Sequence, residues 1–288
     1  MIKIVTDSNS GISQEEAKKL GIVVIPMPFV VDGVEYYDGV TLNHEDFYNF
    51  LANDNNVSTS QPSQYTIKEV WDNILVDTES VIFIPMSSGL SSTYDSSENL
   101  SKEYDGRVLV VNNKRISVTL KQSIYDALSM VEAGYTAEEI KEYLESDTYN
   151  SSIYITLETL KYLKKGGRLT PAAATLAALF RIKPVLQIQG DKLDTYAKVF
   201  NTAVAKSKMV NAMKKDFETR FADFENDMAL YVVHSHNEEA ALKYKEEVQK
   251  AFPNIEVLGP EELSLSVSCH IGPGALAIAA AKKFVNKK

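Results

Sequence analysis

An intrachain disulfide is excluded from the outset, because Cys269 is the only cysteine among 288 residues. The opening stretch MIKIVTDS lacks the basic segment and long apolar region of a secretory signal. No apolar run reaches the roughly 18 residues that a membrane-spanning helix requires. A cytoplasmic protein without an integral membrane segment is the expectation. Against a formal charge of −9 there is no long Lys/Arg block, so neither nucleic acid nor an anionic membrane surface is an expected partner. Familiar enzyme signatures are missing too. The stretch Gly89, Leu90, Ser91, Ser92, Thr93 lacks the second glycine of a nucleophile elbow, no Gly-x-x-x-x-Gly-Lys-[Ser/Thr] phosphate loop occurs, and Gly272, Gly274 and Ala277 imitate a dinucleotide fingerprint only loosely. His234 and His236 stand two apart on an expected strand with no cysteine nearby, which favours a strand-end turn over a metal site.

What is present is enough apolar side chain, 44% of residues, to bury a substantial core. Short β-branched runs at Ile2–Val5, Ile22–Val31, Val81–Ile84 and Val108–Val111 alternate with amphipathic stretches over 13–20, 43–51, 63–75, 91–104, 117–132 and 137–144. That alternation predicts an α/β domain over residues 1–150 with a mainly parallel sheet covered by helices. Past Asp147 the pattern changes. Ser152–Leu157 is an expected strand, Pro184–Gln189 and Leu193–Phe200 form an expected hairpin about Gly190 and Asp191, and a helix (202–221), a strand (Met228–His234) and a helix (238–252) follow. The second half, 151–288, is predicted to be an α+β domain ending in a helix from Gly272 to Val285 that is a candidate to pack back on the first. No linker intervenes, so a ligand cleft between two closely packed domains is expected.

Polar residues gather where the expected strands end. Thr6, Asp7 and Ser8 follow the first strand, where α/β folds place ligand groups, although Asp and Ser also serve as ordinary turn and cap residues. Ser58, Thr59, Ser60, Gln61, Pro62 and Ser63 form a second hydroxyl-rich segment, and Ser87, Ser88, Gly89, Leu90 and Ser91 a third between strand and helix. Hydroxyls with unpaired amides at a helix start stabilise an anion. Gly166, Gly167 and Arg168 follow a basic helix end, and His270 precedes a Pro-Gly turn. Each has a purely structural reading when taken alone.

Taken in order, TDS at Thr6–Ser8, STSQPS at Ser58–Ser63, SSGLSSTYDS at Ser87–Ser96, GGRLT at Gly166–Thr170 and HIGPGALA at His270–Ala277 resemble the motifs of the DegV family, which includes the bacterial fatty acid-binding proteins known as FakB. The resemblance runs nearly end to end. It implies a two-domain α/β protein holding one long-chain fatty acid, such as palmitate, stearate or oleate, with the carboxyl group at the domain junction and the acyl tail in an apolar tunnel. Carried over by motif, Thr59 and Ser91 are implied to donate hydroxyls to the carboxylate and His270 to complete the polar end, with Ser60, Ser92, Gly166, Arg168 and Gly272 in the ligand-binding set. Ala172–Ala174, Leu176–Phe180 and Ile182–Ile188 are candidates for the tunnel wall. The FakB branch further implies a monomeric, non-catalytic carrier without cofactor that presents its ligand to a fatty acid kinase for phospholipid synthesis. The resemblance departs at Phe200, where many relatives have an arginine, and at Pro171, near which a basic residue is common, and this leaves the choice of kinase partner open. Two other readings rest on the same residues. One is a hydrolase or acyltransferase with Ser91 as nucleophile, His270 as base and Asp7 as orienter. The other is a phosphate- or phosphosugar-binding protein, disfavoured by the scarcity of nearby Lys and Arg.

Overall fold

A computed structural model describes residues 1–166 and 182–286. They fall into two compact units, one comprising Met1–Thr148, Ser264–Ser266 and the segment from Phe284, the other Tyr149–Leu263 and Val267–Lys283.

The first unit runs β1 (Ile2–Asp7), α1 (Gln14–Leu20), β2 (Val23–Ile25), β3 (Pro28–Val31), β4 (Val34–Tyr37), α2 (His44–Ala52), β5 (Val57–Thr59), α3 (Gln64–Ile74), β6 (Ser80–Ile84), α4 (Thr93–Ser101), β7 (Val108–Val110), α5 (Ser117–Glu132) and α6 (Ala137–Ser146). Local capping fixes several helix starts: Ser13 Oγ accepts from the Glu16 amide at 3.1 Å and Ser63 Oγ from that of Thr66 at 3.0 Å, while Thr136 and Glu139 form a capping box. The parallel sheet has the order β2-β1-β6-β7, as an α/β reading requires. Alternation divides its two faces. Val5, Phe83 and Val110 pack with Trp71 of α3 and Leu100 of α4, whereas Ile4 and Ile82 are buried on the other face, which α5 and α6 approach. The strand order reverses between β1 and β6, so the crevice beyond their carboxyl ends is the topological switch point of the sheet. The expected run Ile22–Val31 is divided: β2 joins the parallel sheet, and β3 joins an antiparallel sheet of order β4-β3-β5.

The second unit contains β8 (Ser151–Thr156), α7 (Lys161–Gly166), β9 (Lys183–Ile188), β10 (Leu193–Val199), α8 (Thr202–Glu218), β11 (Met228–His234), α9 (Glu238–Ala251), β12 (Val257–Glu262), α10 (Leu265–Ile271) and β13 (Leu276–Lys282). Leu265 and Ser266 of α10 group with the first unit. The sheet order is β10-β9-β8-β13-β11-β12, and only β11 with β12 is parallel. Met209, Met213 and Phe217 of α8 and Tyr244 and Val248 of α9 close one face over Leu230, Val232 and Ile278. Asp216 of α8 accepts from Ser152 Oγ at 2.6 Å and Tyr154 Oη at 2.8 Å, which ties that helix to β8.

The expected closing helix over 272–285 is overturned. Leu276–Lys282 is instead a strand between β8 and β11, antiparallel to both. Its alanines favour helix in isolation, but Ala277, Ala279, Ala280 and Ala281 are all buried, and two flanking strands supply every ladder bond the segment needs. Among the described residues no helix is long and apolar enough to cross a membrane.

Candidate functional site

In the first unit, polar side chains crowd the carboxyl ends of β1 and β6, and most are committed to holding loops. Thr6 Oγ1 donates to the Ile84 carbonyl at 2.8 Å. Asp7 Oδ2 accepts from the Met86 amide at 2.9 Å, while Oδ1 accepts from the amide and side chain of Asn9, each at 2.9 Å. Burial nevertheless pushes the Asp7 carboxyl up, against the lowering effect of those bonds. Ser8 Oγ donates to Asp38 Oδ2 at 2.9 Å and accepts from the Met27 amide at 3.1 Å. Asp38 is buried just past β4, and desolvation drives its carboxyl to about 6 despite the bond from Ser8, the nearby His44 and the backbone of Ser266 and Leu265.

The hydroxyl-rich turn after β6 folds on itself. The Ser87 amide donates to the Arg115 carbonyl at 2.9 Å, and the Leu90 and Ser91 amides donate back to the Ser87 carbonyl at 3.0 and 3.1 Å. Gly89 N–H reaches Ser87 Oγ at 3.3 Å and Thr93 N–H reaches Ser91 Oγ at 3.2 Å. The expectation that amides near Ser91 stand free at a helix start is therefore corrected: α4 begins at Thr93, and these donors close the turn. Hydroxyls are what the turn presents. Ser91 is half-buried, its Oγ 2.8 Å from Thr93 Oγ1, and Ser92 is exposed. Thr59 is half-buried at the end of β5 opposite Phe29, and Ser60, exposed, is fixed by its amide to the Pro28 carbonyl at 3.1 Å. Arg115 secures the neighbouring loop through a buried ion pair with Asp147 at 2.6 Å.

In the second unit His270 occupies the last turn of α10, not the approach to a helix as expected. Gly166, ending α7, lies so close that a side-chain carbon there would collide with the His270 imidazole. Gly272 ends α10 with φ +76 and its amide on the Ser268 carbonyl at 2.8 Å, and the Tyr162 ring fills the space where a side chain would project. Both glycines are thus required by close approach. The turn is clamped from β11's end: Ser235 Oγ donates to the Gly272 carbonyl at 2.6 Å and accepts from the Ala275 amide at 3.1 Å, and Asn237 Nδ2 donates to the Gly274 carbonyl at 3.1 Å. Tyr162, Ser235 and Asn237 escape a reading of the sequence, since only the folded turn gives them work.

The structure brings Thr59, Ser60, Ser91 and Ser92 into the first unit and Gly166, His270 and Gly272 into the second. Arg168 and the tunnel candidates Ala172–Ala174 and Leu176–Phe180 lie outside the described residues, whereas Val185 and Leu186 of β9 are fully buried. His234 ends β11 with Nδ1 accepting from the Asn237 amide at 3.2 Å, and His236 follows at φ +45 outside the strand, so the pair does not share a strand face. Among the described residues no group of three or more His, Cys, Asp or Glu could hold a metal ion.

A model of the DegV family matches residues 1–283. A DegV domain-containing protein of Staphylococcus aureus is 28% identical over 283 residues, covering 97% of this chain and 98% of the relative. One from Mycoplasma genitalium is 30% identical over 223 residues, covering 74% and 75%. Among solved structures, a DegV family protein from Thermus thermophilus described as fatty acid binding superposes with a TM-score of 0.88 at 26% identity, covering 98% of this chain and 99% of the other. DegV from Bacillus subtilis, described as a fatty acid binding protein, gives 0.86 at 25% identity with the same coverage.

Proposed function

The chain belongs to the DegV family, and from that membership we propose that it binds one long-chain fatty acid and acts as a carrier, not as an enzyme. One observation carries the reading: two solved relatives that share this fold over 98% of the chain are both described as fatty acid binding. The ligand carboxylate is held by the hydroxyls of Thr59 and Ser91 and by His270, with Ser60, Ser92, Gly166, Arg168 and Gly272 in the same set. Acyl burial provides most of the affinity. At ~0.8 kcal/mol per methylene, a chain of about sixteen carbons gains roughly 10 kcal/mol, against a few for its polar end. The polar end therefore sets orientation, and the division of labour suits a carrier that accepts several chain lengths.

Native mass spectrometry of the purified protein, before and after denaturation, tests this. A fatty acid released on unfolding is expected; a protein that arrives empty and takes up neither oleate nor palmitate refutes the proposal. The finer step, presentation to a fatty acid kinase in the cytoplasm by a monomer, is tested with a bacterial fatty acid kinase, ATP and hydroxylamine trapping of the acyl phosphate. Failure there removes the kinase and leaves fatty acid binding. A serine nucleophile is disfavoured because Asp7 is committed to Met86 and Asn9. Fluorophosphonate labelling lost in Ser91→Ala would reverse that judgement.

A further inference from the structure

The clamp on the turn from Gly272 to Ala275 depends on a histidine to which the proposed function gives no part. Ser235 and Asn237, which hold that turn, belong to the reversal of the chain between β11 and α9, and His234 closes the reversal: its Nδ1 accepts from the Asn237 amide at 3.2 Å. A backbone amide can only donate, so this Nδ1 carries no proton and the ring is neutral. Inside the reversal His236 stands at φ +45, in the left-handed region that residues other than glycine rarely adopt, and its amide donates to Glu262 Oε1 at 3.2 Å. A strained turn is thus pinned by two bonds, and one pin requires an unprotonated imidazole.

What the pins hold is the segment that follows α10. The Ser235 amide donates to the Ala275 carbonyl at 3.2 Å and its carbonyl accepts from the Gly274 amide at 2.7 Å, in addition to the bonds that its hydroxyl makes to Gly272 and Ala275 and that Asn237 Nδ2 makes to Gly274. All of these residues lie in the second unit, as does His270, two positions before Gly272. An imidazole that takes up a proton becomes a donor at both nitrogens and can no longer receive the Asn237 amide. Histidine makes that change between about pH 5 and 8.

The neighbouring charges suit such a change. Glu262 lies opposite His234 in the β11–β12 register and Glu261 opposite Val233, Glu238 and Glu239 open α9, and Glu158, paired with Lys183 at 2.5 Å, packs against Gly274. On the other side β13 offers only Leu276 across the ladder. The carboxylates give an imidazolium opposite charge away from the Asn237 amide, and His236 and His270 are the other groups of this region that titrate in the same range.

We propose that His234 is a positioning residue that makes ligand holding depend on pH: neutral, it closes the clamp that fixes Gly272 and, two residues earlier, His270; protonated, it lets go of the Asn237 amide and loosens that turn. This assignment rests on reading His270 and Gly272 as part of the fatty acid site. It gives the carrier a means of releasing its ligand in a mildly acidic medium.

The first test needs neither a variant nor a ligand. Hydrogen–deuterium exchange of the wild-type protein, corrected for the intrinsic pH dependence of exchange, is expected to show peptides covering 234–238 and 271–276 losing about fivefold in protection between pH 8.0 and pH 6.0, while β8 changes by less than about twofold. Unchanged protection of both segments overturns the inference. The second test measures oleate affinity, by displacement of a fluorescent fatty acid, at the same two pH values in wild type and in His234→Asn, whose side-chain oxygen can accept the same amide without titrating. His270 and the ligand itself titrate in both proteins, so they cancel when each protein is compared with itself. The ratio of affinity at pH 8.0 to that at pH 6.0 is expected to be about fivefold larger in wild type than in the variant. If wild type binds no oleate at either pH, the proposed function falls and takes this inference with it; if wild type binds and the two ratios are equal, only the inference falls. Should His234→Asn fail to fold by circular dichroism, the exchange result on wild type decides alone.

Discussion

Replacing Asp126 by asparagine is expected to stabilise the first unit at neutral pH and to lose that advantage in mild acid. Asp126 is 2% exposed on α5, and its carboxyl is pushed from an ordinary 3.8 to about 6, chiefly by burial. One oxygen, Oδ1, accepts from Gln122 Nε2 at 2.8 Å and from the Phe284 amide at 2.9 Å, while Oδ2 has no partner among the described residues. An asparagine keeps both bonds through its own oxygen and removes the charge. Because the folded pKa lies above the unfolded one, this carboxyl favours folding below about pH 4 and opposes it increasingly as pH rises through about 6. A shift of this size makes the charged side chain cost about 3 kcal/mol at pH 7.5 and about 1 kcal/mol at pH 4.5. The new amide group, left beside the place of Oδ2, costs about 1 kcal/mol at both. The net expectation is a gain of about 2 kcal/mol at pH 7.5 and none at pH 4.5. Trp71, the single tryptophan, is buried in this unit with its ring edge-to-face against Phe83 at 5.8 Å and Tyr104 at 5.5 Å, so its fluorescence during urea unfolding reports the right part of the chain. A stability difference that does not change with pH, or a loss at pH 7.5, would refute the reasoning.

Gly166→Ala drives a methyl group into the His270 imidazole and is expected to weaken oleate binding about tenfold in calorimetric titration; unchanged affinity would remove His270 from the site. Thr59→Ala and Ser91→Ala are each expected to cost about 1–2 kcal/mol of oleate binding, the value of a hydrogen bond to a charged group, and normal binding by both would place the carboxylate elsewhere. Arg115→Ala strips the buried Asp147 carboxylate of its cation and is expected to destabilise the first unit by about 3–5 kcal/mol, whereas Arg115→Met combined with Asp147→Leu costs less. Urea unfolding followed at Trp71 decides between them, and equal losses would show that packing, not charge, sets the cost.

Much of the first unit could be read from local chemistry: β-branched runs mark β1, β6 and β7, and Ser13, Asn43, Ser63 and Thr136 announce helices with their own side chains. Where tertiary partners decide, local chemistry misleads. Leu276–Ala281 has a helix-forming composition, yet β8 and β11, both distant in sequence, pair with it as a strand. Leu265, Ser266, Val267 and Ser268 alternate like a strand and form a helix. In the candidate site the hydroxyl-rich segments stood out as unusual, but composition does not reveal that Ser87 and Asp7 hold loops while Ser91 and Thr59 sit half-buried at turn and strand ends. The clamp from Ser235 and Asn237 requires the fold to be seen at all.

The position of β13 bears on how the protein is made. The strand that sits between β8 and β11 is built from residues 276–282, and the first unit incorporates both Ser264–Ser266 and the segment from Phe284. Synthesis must therefore pass residue 276 before either unit has its full set of segments. Until then β8 and β11 each lack one neighbouring strand, the kind of open edge that invites strand exchange with another chain. A chain cut before residue 276 lacks segments of both units.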